Sequence, residues 1–247
     1  HAFVRKTSDM LPLGFTYTKY ISREEFDKLD TMGKHSAIVN GLVIENFHEE
    51  TAELEEIPIS RFENNKIDRE IPISLEEQGI EHIGQSFKAK EDARIRVYLE
   101  NVDEDEDAEY YVKLSDFLLL DEGRQDIYVG NKNIQLRNRE DDYYMGVDEF
   151  WVNVTELKKE NDICYFDILL GGGYKSFALG ELQVFSHIPD KKAITERKSN
   201  VLENLKIETN KVSGTITTDE VEALFLSIPY SKGWKAYFDG VETDIER

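Results

Sequence analysis

Tyr143, Tyr144, Phe150 and Trp151 crowd into one short stretch beside Asp141, Asp142, Asp148 and Glu149. An aromatic ring can cover the apolar face of a pyranose, and a carboxylate can accept its hydroxyl hydrogens. The stretch therefore reads as a sugar site, with Tyr143, Tyr144, Asp148 and Trp151 as the ligand-binding candidates. The competing reading makes Phe150 a core residue and Trp151 a partly exposed strand residue, because aromatics are common in strands.

Other constellations carry less chemistry. Residues 103–107 are all acidic, and oxygen ligands at alternate positions suit a hard cation. The EF-hand pattern fails, since Ala108 stands where glycine is needed and Leu114 where the bidentate glutamate belongs. The run reads as a solvated hairpin tip between strands 94–100 and 109–114, with weak calcium binding at most and no other cofactor. Gly171-Gly172-Gly173-Tyr174-Lys175-Ser176 lacks the Gly-Lys-Ser of a phosphate loop and sits between strands, so it reads as a glycine-rich β-turn. The five histidines show no metal spacing, and no Gly-x-Ser-x-Gly nucleophile elbow occurs. Cys164 falls mid-strand on an apolar face and reads as a small buried hydrophobe. Carboxylates are too abundant for any pair to stand out as a glycosidase couple. Asn153-Val154-Thr155 is a sequon within a strand and carries no further reading.

Charge narrows the partners. The 247 residues hold 51 acids against 30 bases, a formal charge of −21. Nucleic-acid binding needs clustered Lys and Arg to neutralise phosphates, so it is excluded as a class. Docking on anionic lipid through a basic patch is disfavoured for the same reason. Apolar runs are short, as at 117–120 and 223–226, whereas a membrane-spanning helix needs about 20 mostly apolar residues. A lone cysteine excludes an internal disulfide; it suits the cytosol and also cysteine-poor Gram-positive surface proteins. The chain opens His1-Ala2-Phe3 with no initiator Met and no signal peptide, so it is expected to be part of a longer protein.

The elements that would position these residues are mostly strands. Ser22 and Glu25 form a capping box, with Ile21 and Phe26 as the hydrophobic staple, so a helix begins at Ser22. Gly33 is expected to stop it. A second short helix or turn over 34–40 ends at Gly41, and residues 11–17 are extended. From about residue 54 the apolar period becomes two. Ile95, Val97 and Leu99 form one such face, Phe150, Val152 and Val154 a second, and Cys164, Phe166, Ile168 and Leu170 a third. Leu224, Leu226 and Ile228, and then Trp234, Ala236 and Phe238, supply two more. Turn signals separate them, including Gly130-Asn131 and Asp239-Gly240. The expected fold is mainly β, an antiparallel sandwich or jelly roll of the galactose-binding-like type with a short helical N-terminal segment. Three segments are expected: an extended and helical stretch at 1–53, a main β-sandwich at 54–188, and a C-terminal β-segment or small second β-domain at 201–247. The polar linker 189–200 between the last two allows one helical turn.

Two stretches carry a family resemblance. One is Leu11-Pro12-Leu13-Gly14-Phe15-Thr16-Tyr17-Thr18-Lys19-Tyr20-Ile21-Ser22, followed by Glu25 to Leu29. The other runs from Leu224 through Ser227-Ile228-Pro229-Tyr230-Ser231-Lys232-Gly233-Trp234 to Asp239-Gly240. Both resemble the YfhO family of bacterial polytopic membrane proteins, where they bracket a large extracytoplasmic domain. The second motif also reads as pure folding chemistry: Pro229 ends a strand, Gly233 permits a turn, Trp234 locks the return strand onto the core, and Asp239-Gly240 suits a two-residue hairpin.

The resemblance implies a glycosyltransferase-like membrane protein that uses lipid-linked sugars to glycosylate teichoic acid outside the membrane of Gram-positive bacteria. It places the catalytic carboxylates in loops near the first membrane spans, so no catalytic residue is assigned here. It implies a non-catalytic domain on the extracytoplasmic side that positions sugar donor or acceptor, with its own transmembrane region as partner. It also implies that further strands and a membrane helix follow Arg247. A stand-alone carbohydrate-binding module is the alternative, and a free glycoside hydrolase ranks third. Teichoic acid is a polyphosphate that a chain of this charge repels at long range. Direct binding would need a local basic patch, such as Lys191, Lys192, Arg197 and Lys198, or bridging cations.

Overall fold

A computed structural model describes residues 10–45, 53–63, 68–102, 105–218 and 221–245. The chain divides into two compact units, one made of 1–67 with 190–247 and the other of 68–189.

The first unit begins with β1 (Gly14–Tyr17) and β2 (Lys19–Ser22), then α1 (Arg23–Lys28), α2 (Thr31–Asn40), β3 (Leu42–Ile44) and β4 (Glu55–Glu56). The Ser22 hydroxyl accepts the Glu25 amide at 3.3 Å and starts α1 as the capping pattern requires. Gly33 does not end this helix. It lies in the first turn of α2, where its amide is bound by the Asp30 carboxylate at 2.7 Å. A Cβ on Gly33 would stand 2.7 Å from the Phe62 carbonyl oxygen, so glycine is there for close approach. α2 ends at Gly41, as expected. Both partners of β2, β3 and β4, run parallel to it, unlike the antiparallel sheets elsewhere. Ile21, Leu29, Ala37, Ile57 and Phe62 form the core of this part.

The second unit holds twelve strands: β5 (Asp68–Ile71), β6 (Ile73–Ile83), β7 (Ser86–Leu99), β8 (Glu109–Ser115), β9 (Leu118–Leu119), β10 (Arg124–Val129), β11 (Lys132–Arg137), β12 (Phe150–Asn153), β13 (Lys158–Glu160), β14 (Ile163–Leu169), β15 (Lys175–Ala178) and β16 (Glu181–His187). They form an eight-stranded and a four-stranded antiparallel sheet, the latter ordered β12-β8-β16-β5. One continuous core joins the two. Val97, Phe166, Ile168 and Phe177 come from the larger sheet, and Val112, Leu114, Val152 and Val184 from the smaller. The sandwich follows from alternation, since each strand turns one row inward.

Three local expectations change. Strands β7 and β8 lie in different sheets, so the acidic stretch between them is a sheet-to-sheet connection instead of a hairpin tip. Residues 103 and 104 fall outside the described residues, and in the remainder the Asp107 amide binds the Asp105 carboxylate at 2.9 Å. The three glycines at 171–173 do not reverse the chain: β14 and β15 both run antiparallel to β7, on its residues 94–99 and 86–89 in turn. The glycines break one long strand instead, opposite Asp92 of β7, which is itself at φ +61°. Cys164 is half-buried near the start of β14 and is not a core residue. Gly130-Asn131 does make the two-residue hairpin between β10 and β11.

The first unit resumes with α3 (Lys191–Ser199), β17 (Glu203–Glu208), β18 (Lys211–Thr215), β19 (Ala223–Leu226), β20 (Ala236–Phe238) and β21 (Val241–Thr243). The linker is thus a nine-residue helix, capped by Asp190 on the Ala193 amide at 2.9 Å. Strand β19 pairs with β1, placing Phe225 opposite Phe15 with ring centroids 5.3 Å apart. The two motifs near the ends of the chain are therefore neighbours in space. The expected inner face of β19 is inverted: Leu224 is 42% exposed, while Phe225 packs on Phe15 and Tyr17. Trp234 lies outside any strand at 36% exposure and locks nothing onto a core. Phe238, at 58%, does not form a buried face either. Asp239-Gly240 makes the tight hairpin between β20 and β21, both residues at positive φ.

Candidate functional site

The sandwich of the second unit presents two outward faces with chemistry on them. On the four-stranded sheet, register places Trp151, Lys113 and Gln183 in one row, and Asn153, Tyr111, Phe185 and Glu70 in the next. Trp151 packs against Phe185 with centroids 5.2 Å apart and planes 32° from parallel. Its indole N–H donates to Glu149 at 3.0 Å, and Lys113 binds the other oxygen of Glu149 at 3.1 Å. The Lys113 ammonium stands 5.6 Å from the centre of the Trp151 ring, a cation–π distance. Tyr111 lies beside the platform, its ring 6.4 Å from that of the buried His187. The result is a half-buried aromatic platform with fixed polar groups at its edge.

The four sequence candidates separate around this platform. Tyr144 and Asp148 come together: the phenol donates to the carboxylate, and Arg139 binds the same carboxylate at 2.6 Å. Burial opposes ionisation of Asp148. The hydrogen bonds from Tyr144 and Arg139, with the charge of the arginine, outweigh it and hold the carboxyl below its ordinary range. The hydrogen bond to Asp148 in turn raises the Tyr144 phenol. Tyr143 belongs to a different contact, 5.4 Å beneath Arg137, which is itself tied to Asp141 at 3.1 Å. Trp151 contacts Glu149, Lys113 and Phe185. Phe185 and Lys113 were not legible as platform residues, because they are neighbours of Trp151 only through the order of the sheet.

The larger sheet bears an open trough of about 900 Å³ on its outer side. Register orders the side chains of this outer face. Ser74, Tyr98, Tyr165 and Lys158 form one row, and Glu76, Arg96 and Asp167 the next. Arg96 donates to Asp167 and Glu160, each at 2.8 Å, and stacks 4.0 Å from the centre of the Tyr165 ring. Lys158 also binds Asp167, at 3.2 Å. Asp167 is 7% exposed. Burial pushes its carboxyl up, but the hydrogen bonds and charges of Arg96 and Lys158 bring it below the ordinary value. The hydrogen bond to Asp167 overcomes the cost of burying Arg96 and holds the guanidinium more firmly protonated than usual. The Tyr98 hydroxyl donates to Glu76 at 2.8 Å, which raises the phenol. In sequence only the polar alternation Arg94, Arg96, Tyr98 signalled this face.

The basic patch suggested on α3 does not assemble as four free cations. Arg197 is buried, donates to the Thr16 carbonyl at 2.6 Å and lies 4.7 Å from the centre of the Tyr17 ring. Burial pushes the Tyr17 phenol up to about 12, against the lowering influence of Arg197. Among the described residues no group of three or more His, Cys, Asp or Glu side chains could hold a metal ion.

These features define a mainly β domain carrying an antiparallel sandwich, and among the described residues no helix is long and apolar enough to cross a membrane. The family model described as bacterial membrane protein YfhO matches residues 1–247, so the chain belongs to the YfhO family. No curated protein and no solved structure matches the chain.

Proposed function

We propose that this chain is an extracytoplasmic domain of a membrane protein that glycosylates a cell-wall polymer of the teichoic acid type. In this reading the domain holds the sugar of a lipid-linked donor or of the acceptor, and the bond-making groups belong to the membrane-embedded part. The observation that carries it is the Trp151–Phe185 platform, edged by Lys113 and Glu149, in a chain whose whole length matches a membrane-protein family. A pyranose laid on the rings meets a carboxylate and an ammonium within reach of its hydroxyls. Tyr144 and Asp148, in the segment that leads into β12, supply further contacts, and Tyr143 an exposed ring. The net charge of −21 favours a neutral sugar over the phosphate backbone as the group held.

The test is titration with neutral mono- and oligosaccharides, following Trp151 fluorescence in a Trp234→Phe background. Saturable binding that Trp151→Ala removes supports the platform. No binding at millimolar sugar, or binding that survives Trp151→Ala, overturns it. The side of the membrane is read by placing a cysteine at exposed Met145 of the full-length protein and labelling intact cells with an impermeant maleimide. Absence of labelling in cells whose lysed membranes do label overturns the extracytoplasmic placement. The separate core of the second unit favours one alternative, a sugar-binding module that needs no membrane partner. Cells carrying Trp151→Ala that keep normal wall glycosylation, although the purified domain has lost sugar binding, decide for that module.

A further inference from the structure

The trough on the larger sheet contains two guanidinium groups in opposite states. Arg96 is saturated by Asp167, Glu160 and the face of Tyr165. Arg94, one step along the same face of β7, is about three-quarters buried, yet among the described residues the one hydrogen bond of its side chain is a long 3.4 Å contact to Glu76. Its Nε–H is shut off from solvent and has no partner among the described residues. A guanidinium offers five N–H donors, and leaving a buried one unmatched is costly. The carboxylates beside it are fixed but not filled. Glu76 accepts from Tyr98 and Arg94, and Glu160 from Arg96, while each carboxylate has about four lone-pair sites.

The lining counts four acids (Glu76, Glu100, Glu160, Asp162) against three bases (Arg94, Arg96, Lys159). Such a balance repels a phosphate and gives a cation only a weak field. It does match a ligand that donates and accepts hydrogen bonds at adjacent atoms without net charge. Ile163, 48% exposed, adds an apolar side chain for a C–H face. We infer that this trough is a second carbohydrate site, one that takes a neutral polyhydroxylated ring through Arg94, Glu76 and Tyr98. It deepens the reading that the domain presents sugars, and it puts the second sugar on the sheet opposite the Trp151 platform. Two sites on one domain suit a protein that brings two saccharides, or two parts of one chain, into a fixed relation.

The test uses nitrogen–proton correlation spectra of the whole 247-residue chain, titrated with maltose and, separately, with glycerol 3-phosphate. The Arg94 Nε–H signal reports the trough, because a hydroxyl oxygen entering the trough gives the guanidinium a new acceptor and turns it from Glu76. The Trp151 indole signal reports the platform in the same spectra. The expected result is a saturable shift of the Arg94 signal with maltose, none with glycerol 3-phosphate, and binding weakened at least fivefold by Tyr98→Phe and by Glu76→Gln. A shift confined to Trp151 overturns the second site and leaves the platform standing. A shift at Arg94 without one at Trp151 upholds the trough and removes the platform. A stronger response to glycerol 3-phosphate than to maltose overturns the neutral ligand class, and silence of both signals removes both sites.

Discussion

Strands β14 and β20 start from the same kind of sequence, alternating apolar residues that include aromatics, and end in opposite environments. In the 68–189 unit, β14 lies between β7 and β10, and its Phe166 and Ile168 face a second sheet. In the C-terminal part of the other unit, among the described residues, β20 pairs only with β21 and β17 only with β18. There Ile207, Tyr237, Phe238 and Val241 remain exposed. Alternation supplies an apolar face, but burial needs a second layer to receive it, and an isolated hairpin has none.

The sharpest test of this contrast deletes one ring from each region. Phe166→Ala should lower stability by about 3–5 kcal/mol, because the cavity it leaves is fully enclosed. Phe238→Ala should change stability by about 0.5 kcal/mol or less. Urea unfolding measures both, with hydrogen exchange at β7 and β20 separating the units. A Phe238→Ala cost as large as that of Phe166→Ala would show that the hairpin face is buried in solution.

Next in size is the polar lock beneath the trough. Arg96→Ala leaves the buried Asp167 with Lys158 alone and should cost about 3 kcal/mol. The pH dependence follows from the lowered Asp167 carboxyl. The unfolded value is about 3.9, so the stabilisation is complete above it and drains away as pH falls through the lower folded value. Asp167→Asn should flatten that acid limb in a pH series of unfolding midpoints.

The smallest contrast concerns two glycines. Gly171 sits at φ +75°, and a Cβ there would stand 3.2 Å from the Asp126 carbonyl oxygen. Gly171→Ala should therefore cost about 1–2 kcal/mol. Nothing lies within 4 Å of a Cβ on Gly233, so Gly233→Ala should be neutral or stabilising by about 0.5 kcal/mol. Thermal unfolding distinguishes the pair.

Much of the local structure was written in the residues. Ser22 and Glu25 announced α1, and Asp239-Gly240 its hairpin, since both signals act within a few bonds. The failures share one cause. Gly33, the glycines at 171–173 and the face of β19 were read from chain neighbours. Phe62, β7 and β1 decide them, and these are distant in sequence. The candidate site divides in the same way. Asp148 and Tyr144 were legible because they lie four positions apart. Phe185, thirty-four positions beyond Trp151, joins it only through the strand order of the smaller sheet.

The sequence by itself determined a mainly β chain, the rows that turn inward in the 68–189 unit, and a charge that disfavours polyanions. Those properties are sums or short-range periods, and no partner strand is needed to read them. Tertiary structure alone decided which rows became neighbours. It set Trp151 on Phe185, clamped Asp167 between Arg96 and Lys158, and left Arg94 with a single long bond. Sheet order and register are cooperative choices over the whole chain, and a shift of one residue would turn every one of these side chains to the other face.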